Sequence, residues 1–172
     1  MTLRPYLHVI TVPKHCHAFT RFIASAHALS IERLRYAERY RPHIPRDWRL
    51  CRFCHSGIED ECHALLTCNG SCTLVYLHRR FLEDLFDKVP SLRTSYLSLS
   101  SLDFLRDIIF RNWILPIVAK FIYDVLNIFA GKEAWIPEPV LYQPLPTGNR
   151  QLWVFSLPWL SLLDSKNLNV SA

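Results

Sequence analysis

Three cysteines and one histidine carry the clearest chemistry of this chain. Cys51-Arg52-Phe53-Cys54 is followed by Glu59-Asp60-Glu61-Cys62-His63 and then by Cys68, a C-x2-C-x8-H-x4-C spacing. Two thiolates two residues apart share one tight turn, and a later His and Cys close a tetrahedron around Zn2+ with no position left open. A closed site of this kind is structural, because hydrolysis needs a position for water. Its binding free energy, about 10–16 kcal/mol in zinc-finger peptides, becomes folding free energy. Residues 48–70 are therefore expected to be disordered without metal. Spacing alone does not choose every ligand. Cys62 adjoins His63, so C-x2-C-x7-C-x5-C is equally acceptable, and Cys72 can stand in for Cys68. His55 is too close to Cys54 to complete a chelate and reads as a surface residue, and Cys16 with His15 and His17 reads as an exposed turn.

Charge is gathered around this knuckle. The 172-residue chain carries a formal +5, and the stretch from Thr20 to Gly57 holds all of it: eight arginines (21, 33, 35, 39, 41, 46, 49 and 52) against Glu32, Glu38 and Asp47. A local basic patch says more about partners than a basic average does. Alone it would read as a solvated helix face; beside a metal motif it points to nucleic acid, RNA or single-stranded DNA. Arg46, Arg49 and Arg52 are expected to form the phosphate-facing edge. Trp48, Phe53 and Tyr36 offer rings on which unpaired bases stack, although Trp48 and Phe53 suit packing over the metal equally well. Glu59-Asp60-Glu61 repel phosphate, so the binding face should lie opposite them. The competing class is a zinc-folded protein-interaction module that docks through the helix face from Phe121 to Phe129.

The elements that must position these residues read as mainly α, in one domain with tails. Half of the chain is hydrophobic, mean hydropathy is +0.07, and 4 Gly with 11 Pro argue against a turn-rich β fold. Residues 1–15 read as an irregular tail. Residues 16–130 read as a basic helical lead-in, the knuckle at 48–70 and the helices after it. Residues 131–172 read as a Pro-rich tail containing Trp and Leu. Phe19, Phe22, Ile23 and Ala26 recur at helical spacing, whereas 29–40 fits strand or helix until Pro42 and Pro45 end it. Ser71 can cap a helix that runs to Val89-Pro90. Serines 95, 98, 100 and 101 suggest a loop. A long apolar helical region follows to Phe129, with Pro116 demanding a kink or two consecutive helices and Gly131 placed as terminator. One short strand pair is expected at the thiolate turn.

Compartment and membrane follow from interruptions. Pro13, Lys14, His15, His17 and Arg21 break any apolar signal core, so the expected setting is intracellular and reducing, with free thiols. Between Ile108 and Ala130, Arg111, Pro116, Lys120 and Asp124 interrupt the most apolar stretch, and no membrane span is expected.

Three segments together resemble a known arrangement: Ala24-Ser25-Ala26-His27-Ala28-Leu29-Ser30-Ile31-Glu32-Arg33, Ile44-Pro45-Arg46-Asp47-Trp48-Arg49-Leu50-Cys51, and Ile58-Glu59-Asp60-Glu61-Cys62-His63-Ala64-Leu65-Leu66-Thr67-Cys68. They are similar to the region that follows the polymerase domain in LINE-type (non-LTR) retrotransposon reverse transcriptases. That region has a basic lead-in, I-P-R before the first cysteine and hydrophobics before the last. Its CCHC pattern implies His63 rather than Cys62 as third ligand, and it implies contact with RNA or DNA during target-primed reverse transcription. The resemblance covers roughly residues 16–130, with Ala119-Lys120-Phe121-Ile122-Tyr123 resembling the helices after the knuckle, and its specific part is the knuckle.

Catalysis is not expected. No Y-x-D-D occurs, and Tyr123-Asp124-Val125 lacks the second acid, so the chain reads as a detached C-terminal piece, a remnant or a domesticated reading frame. A metal nuclease needs P-D with a nearby [DE]-x-K; Asp164-Ser165-Lys166 stands without that partner, and no G-x-S-x-G or glycine-rich phosphate loop exists.

Overall fold

The structure, a computed structural model, describes residues 6–38 and 43–136. Within them the fold is mainly helical. Its order is α1 (Tyr6–Val9), α2 (Pro13–Ile23), α3 (Ser30–Arg33), the knuckle, α4 (Cys72–Lys88), α5 (Ser91–Ser98), α6 (Ser101–Ile109) and α7 (Leu115–Ala130). The Pro-rich segment from Pro137 onward lies outside the described residues.

α7 is the axis on which the others pack, because its apolar residues recur around most of its circumference. Leu115, Val118, Ala119, Phe121, Ile122, Val125 and Phe129 are all buried, against Phe19 and Phe22 of α2 and Phe81 and Leu85 of α4. Phe81 stacks on Phe121 with ring centres 3.9 Å apart and planes 5° from parallel. The face from Phe121 to Phe129 is therefore core and offers no docking surface, which corrects the expectation placed on it. Fully burying one such side chain stabilises the fold by about 1.5–3 kcal/mol. By length and composition Asn112–Ala130 is long and apolar enough to cross a membrane, and half of that window is buried inside the fold. Its two charges, Lys120 and Asp124, pair at 2.7 Å.

Several boundaries differ from the sequence expectation. The N-terminal tail already holds a helical turn and a buried Ile10, and α2 starts at Pro13, where a missing N–H costs nothing. The ambiguous stretch after Leu29 makes a single helical turn. Ser71 is the residue before α4, but its side chain makes no capping bond. The serine run is two short helices: Ser100 Oγ accepts from Asp103 N–H at 3.2 Å and caps α6. Pro116 sits in the first turn of α7, so the chain resolves into two consecutive helices. Gly131 ends α7 with φ −76°, an ordinary right-handed value.

Candidate metal centre

A tight hairpin presents the first two cysteines. Leu50 and Ile58 form an antiparallel bridge, the one trace of the expected strand pair among the described residues. Cys51 N–H donates to Gly57 O at 2.8 Å and Glu59 N–H to Arg49 O at 2.9 Å. His55 takes a left-handed φ of 54° at the tip and is exposed. The other two donors sit on a separate short helical segment. Asp60 Oδ1 accepts from His63 N–H at 2.8 Å and starts it. It then widens into a π turn over His63–Thr67, closed by Cys68 N–H donating to His63 O at 2.8 Å.

These two pieces bring Cys51, Cys54, His63 and Cys68 together, with all four donor atoms within 4.8 Å of one another. Cys51 Sγ lies 3.5 Å from Cys68 Sγ, and Cys54 Sγ lies 3.2 Å from His63 Nε2. A tetrahedron with Zn–S near 2.3 Å has edges of about 3.8 Å, so the observed separations bracket it. The group can hold a metal ion, and three sulfurs with one imidazole nitrogen are compatible with zinc. Nδ1 of His63 faces Thr67 Oγ1 at 3.3 Å, which leaves Nε2 for the ion and fixes the ring.

The surroundings of the sulfurs divide them, favouring the thiolate at Cys54 and Cys68 and the thiol at Cys51. Phe53 N–H donates to Cys51 Sγ at 3.4 Å. With protons in place of a metal, Cys51 is pushed up to about 12, chiefly by its bond to Cys68 and then by burial. That same bond holds Cys68 below its ordinary value. At Cys54 burial pushes up, yet bonds from Ser56 and Gly57 outweigh it and the net direction is down. His63 is raised, chiefly by Cys51. Cys62 stands outside the group, pushed up to about 11 by burial and then by Asp60 and Glu61. Cys72 is exposed on α4, also outside it.

Two glycines admit this arrangement. A Cβ on Gly57 would meet the His63 ring at 2.9 Å, and one on Gly70 would meet the Phe53 and Cys54 backbone at 2.5 Å. Neither role was visible in spacing, because both partners lie across the site.

The five residues expected at a nucleic-acid edge are placed very differently. Arg52 is wholly buried and pairs with the equally buried Glu59; its Nε lies 3.0 Å from Glu59 Oε2. Its Nη2 also donates to Ala28 O at 2.8 Å, and its Nη1 donates to Phe129 O and Lys132 O. Glu59 in turn accepts from the backbone and hydroxyl of Ser30 at 2.7 and 2.8 Å. Arg49 is buried too, donating to Ile44 O at 2.9 Å and Ile31 O at 2.7 Å. Neither arginine faces a phosphate, which corrects that assignment: a guanidinium with five donors satisfies several carbonyls at once, and the fold uses both for that. Arg46 remains exposed, 3.9 Å from Asp60. Phe53 is half-buried, edge-on to Phe129 at 5.0 Å, with Lys132 over its ring at 4.9 Å. Trp48 packs on Leu34 and Ile44 with Ala134 and Ile136. Glu59 is likewise no part of a phosphate-repelling surface.

Compared with known protein families, with curated proteins and with solved structures, the chain matches none.

Proposed function

We propose that the chain is a zinc-stapled helical module that binds single-stranded nucleic acid, RNA foremost, and performs no catalytic step of its own. The observation that carries it is the meeting of Cys51, Cys54, His63 and Cys68, with donor atoms within 4.8 Å of one another, from a knuckle spacing. The resemblance of the segment from Ala24 to Cys68 to the post-polymerase region of LINE-type reverse transcriptases supports the nucleic-acid half. So do the solvent-exposed cations on the lead-in, Arg46 among them. Zinc here stabilises a shape, and the shape presents charge.

The test has two readouts on one preparation. Elemental analysis of protein purified without chelator is expected to find about one zinc per chain, lost in His63→Ala and kept in Cys62→Ser. Anisotropy with labelled single-stranded RNA is expected to show binding that weakens with salt, with a log–log slope of about 0.7 per phosphate contact. Protein free of zinc overturns the metal reading, and zinc-loaded protein that ignores RNA at low salt overturns the nucleic-acid reading.

A second reading, docking of a protein partner, is favoured by one observation. Phe110 is 78 % exposed and Trp113 52 %, beside an apolar groove of about 480 Å3 that includes Phe19, Ile23, Ile109 and Leu115. Under that reading Phe110→Asp abolishes partner capture while RNA remains unbound.

A further inference from the structure

A second cleft, away from the metal centre, runs between α2 and α7. Its volume is about 160 Å3, and Lys14, His17, Arg21 and His27 line it opposite Tyr123 and Asn127. Lys14, His17 and Arg21 stand three and four residues apart and so share one side of α2, spread over about 10 Å of helix axis. No carboxylate lines the cleft among the described residues. The nearest acid on α7, Asp124, pairs with Lys120 instead. Lys14 reaches over the Tyr123 ring at 4.9 Å, and Arg21 spends its Nε on Ala26 O at 2.7 Å. Neither has an ion-pair partner among the described residues.

His27 also lines the cleft. It is 6 % exposed, and its Nε2 lies 3.0 Å from Glu61 Oε1. Its Nδ1 is buried with no hydrogen-bond partner among the described residues. With Nε2–H turned to Glu61, the neutral ring leaves Nδ1 an acceptor, which donates to a phosphate only as the imidazolium, so the charge of the seat comes from α2. Uncompensated cations on one rim and no carboxylate among the lining residues describe a seat for an oxyanion, with Glu61 held off on the far side of the His27 ring.

We infer that this cleft seats backbone phosphates of single-stranded nucleic acid, with Lys14 and Arg21 supplying the charge and α2 setting the path of the strand. The inference rests on the nucleic-acid reading above and moves its contact surface from the knuckle arginines to α2. Contacts of this type position a backbone without reading bases. Oligouridine and oligoadenine of about 16 nucleotides should therefore bind alike once differences in their own stacking are allowed for.

The experiment compares wild type, Lys14→Ala/Arg21→Ala and a control of equal charge change on α4, Arg79→Ala/Arg80→Ala, by anisotropy with labelled oligouridine over a salt series. All four positions are exposed, so folding should be undisturbed. The α2 pair is expected to lose about tenfold in affinity at moderate salt and to flatten the log–log slope by about 1.4, two contacts' worth. The control pair should change the slope little. If the α2 pair binds as wild type does, or the control loses as much, the cleft is refuted while the nucleic-acid reading stands. If wild type binds no RNA, that reading falls and inorganic phosphate decides the cleft by NMR. Shifts confined to Lys14, His17, Arg21 and His27 sustain an anion seat, and their absence ends it.

Discussion

Gly70 shows how little room the thiolate turn leaves. Its Cα lies against the backbone of Phe53 and Cys54, where a Cβ would stand 2.5 Å from main-chain atoms that cannot swing aside as a flexible side chain would. Gly70→Ala must push apart the two loops that carry Cys54 and Cys68. The expected cost is roughly 1–3 kcal/mol in urea unfolding, together with weaker metal retention; an alanine variant with an unchanged midpoint would contradict the contact. Gly57→Ala is milder in kind, because it meets an imidazole ring rather than backbone. At the ligand positions, type and spacing identified Cys51 and Cys54, and Cys68 among two candidates. Spacing left Cys62 and His63 level and the resemblance implied His63; the direction of the helical turn, which spacing does not encode, is what brings His63 to the other three donors.

Among the elements, the hairpin and the end of α7 are joined by Arg52. It lies between Cys51 and Cys54 in sequence, but its partners are Ala28, Glu59, Phe129 and Lys132. Arg52→Ala leaves Glu59 buried without its cation, and breaking a buried pair in this way costs about 3–5 kcal/mol. Arg52→Lys should recover little of it, since one ammonium cannot span three carbonyls and a carboxylate. Arg46→Ala, on a 66 %-exposed side chain, should leave the denaturation midpoint within experimental error, and equal losses at 46 and 52 would sink the distinction. This clamp was hidden because a charge in a sequence carries no label for burial. Hairpin register gives no clue to it either, since Leu50 faces Ile58 and Glu59 therefore faces Arg49. Arg52 meets Glu59 only by its backbone N–H and guanidinium reaching back across the turn. The capping pair Ser100-x-x-Asp103 was a readable sign of α6, outvoted by the density of serines around it. The helical stripes of α4 and α7 came through plainly, since apolar periodicity over 16 or 17 residues is hard to mistake.

Across the whole molecule, the knuckle is part of the core and not an appendage. Cys51, Ala64, Leu65 and Cys68 share one buried cluster with Phe19, Leu74 and Phe129, and His78 of α4 lies 3.0 Å from Ala64 O through its Nε2. Removing the metal should therefore loosen the helices as well as residues 48–70. Calorimetry with and without chelator is expected to show one transition, lowered on the order of 10 °C for a loss of several kcal/mol. A helical transition that stays in place while only the hairpin melts would show the two parts to be independent. The stretch after α7 adds a mechanical side to this linkage. Phe129 and Lys132 are gripped by Arg52, Lys132 covers Phe53, Trp135 leans edge-on toward His55 at 5.1 Å, and Ile136 packs against the Leu34 and Ile44 pair that Trp48 also covers. Tension drawn through the backbone at that point would load the thiolate loop before it reached the helices, so the ion, if bound, acts as the anchor bolt for anything that pulls from there.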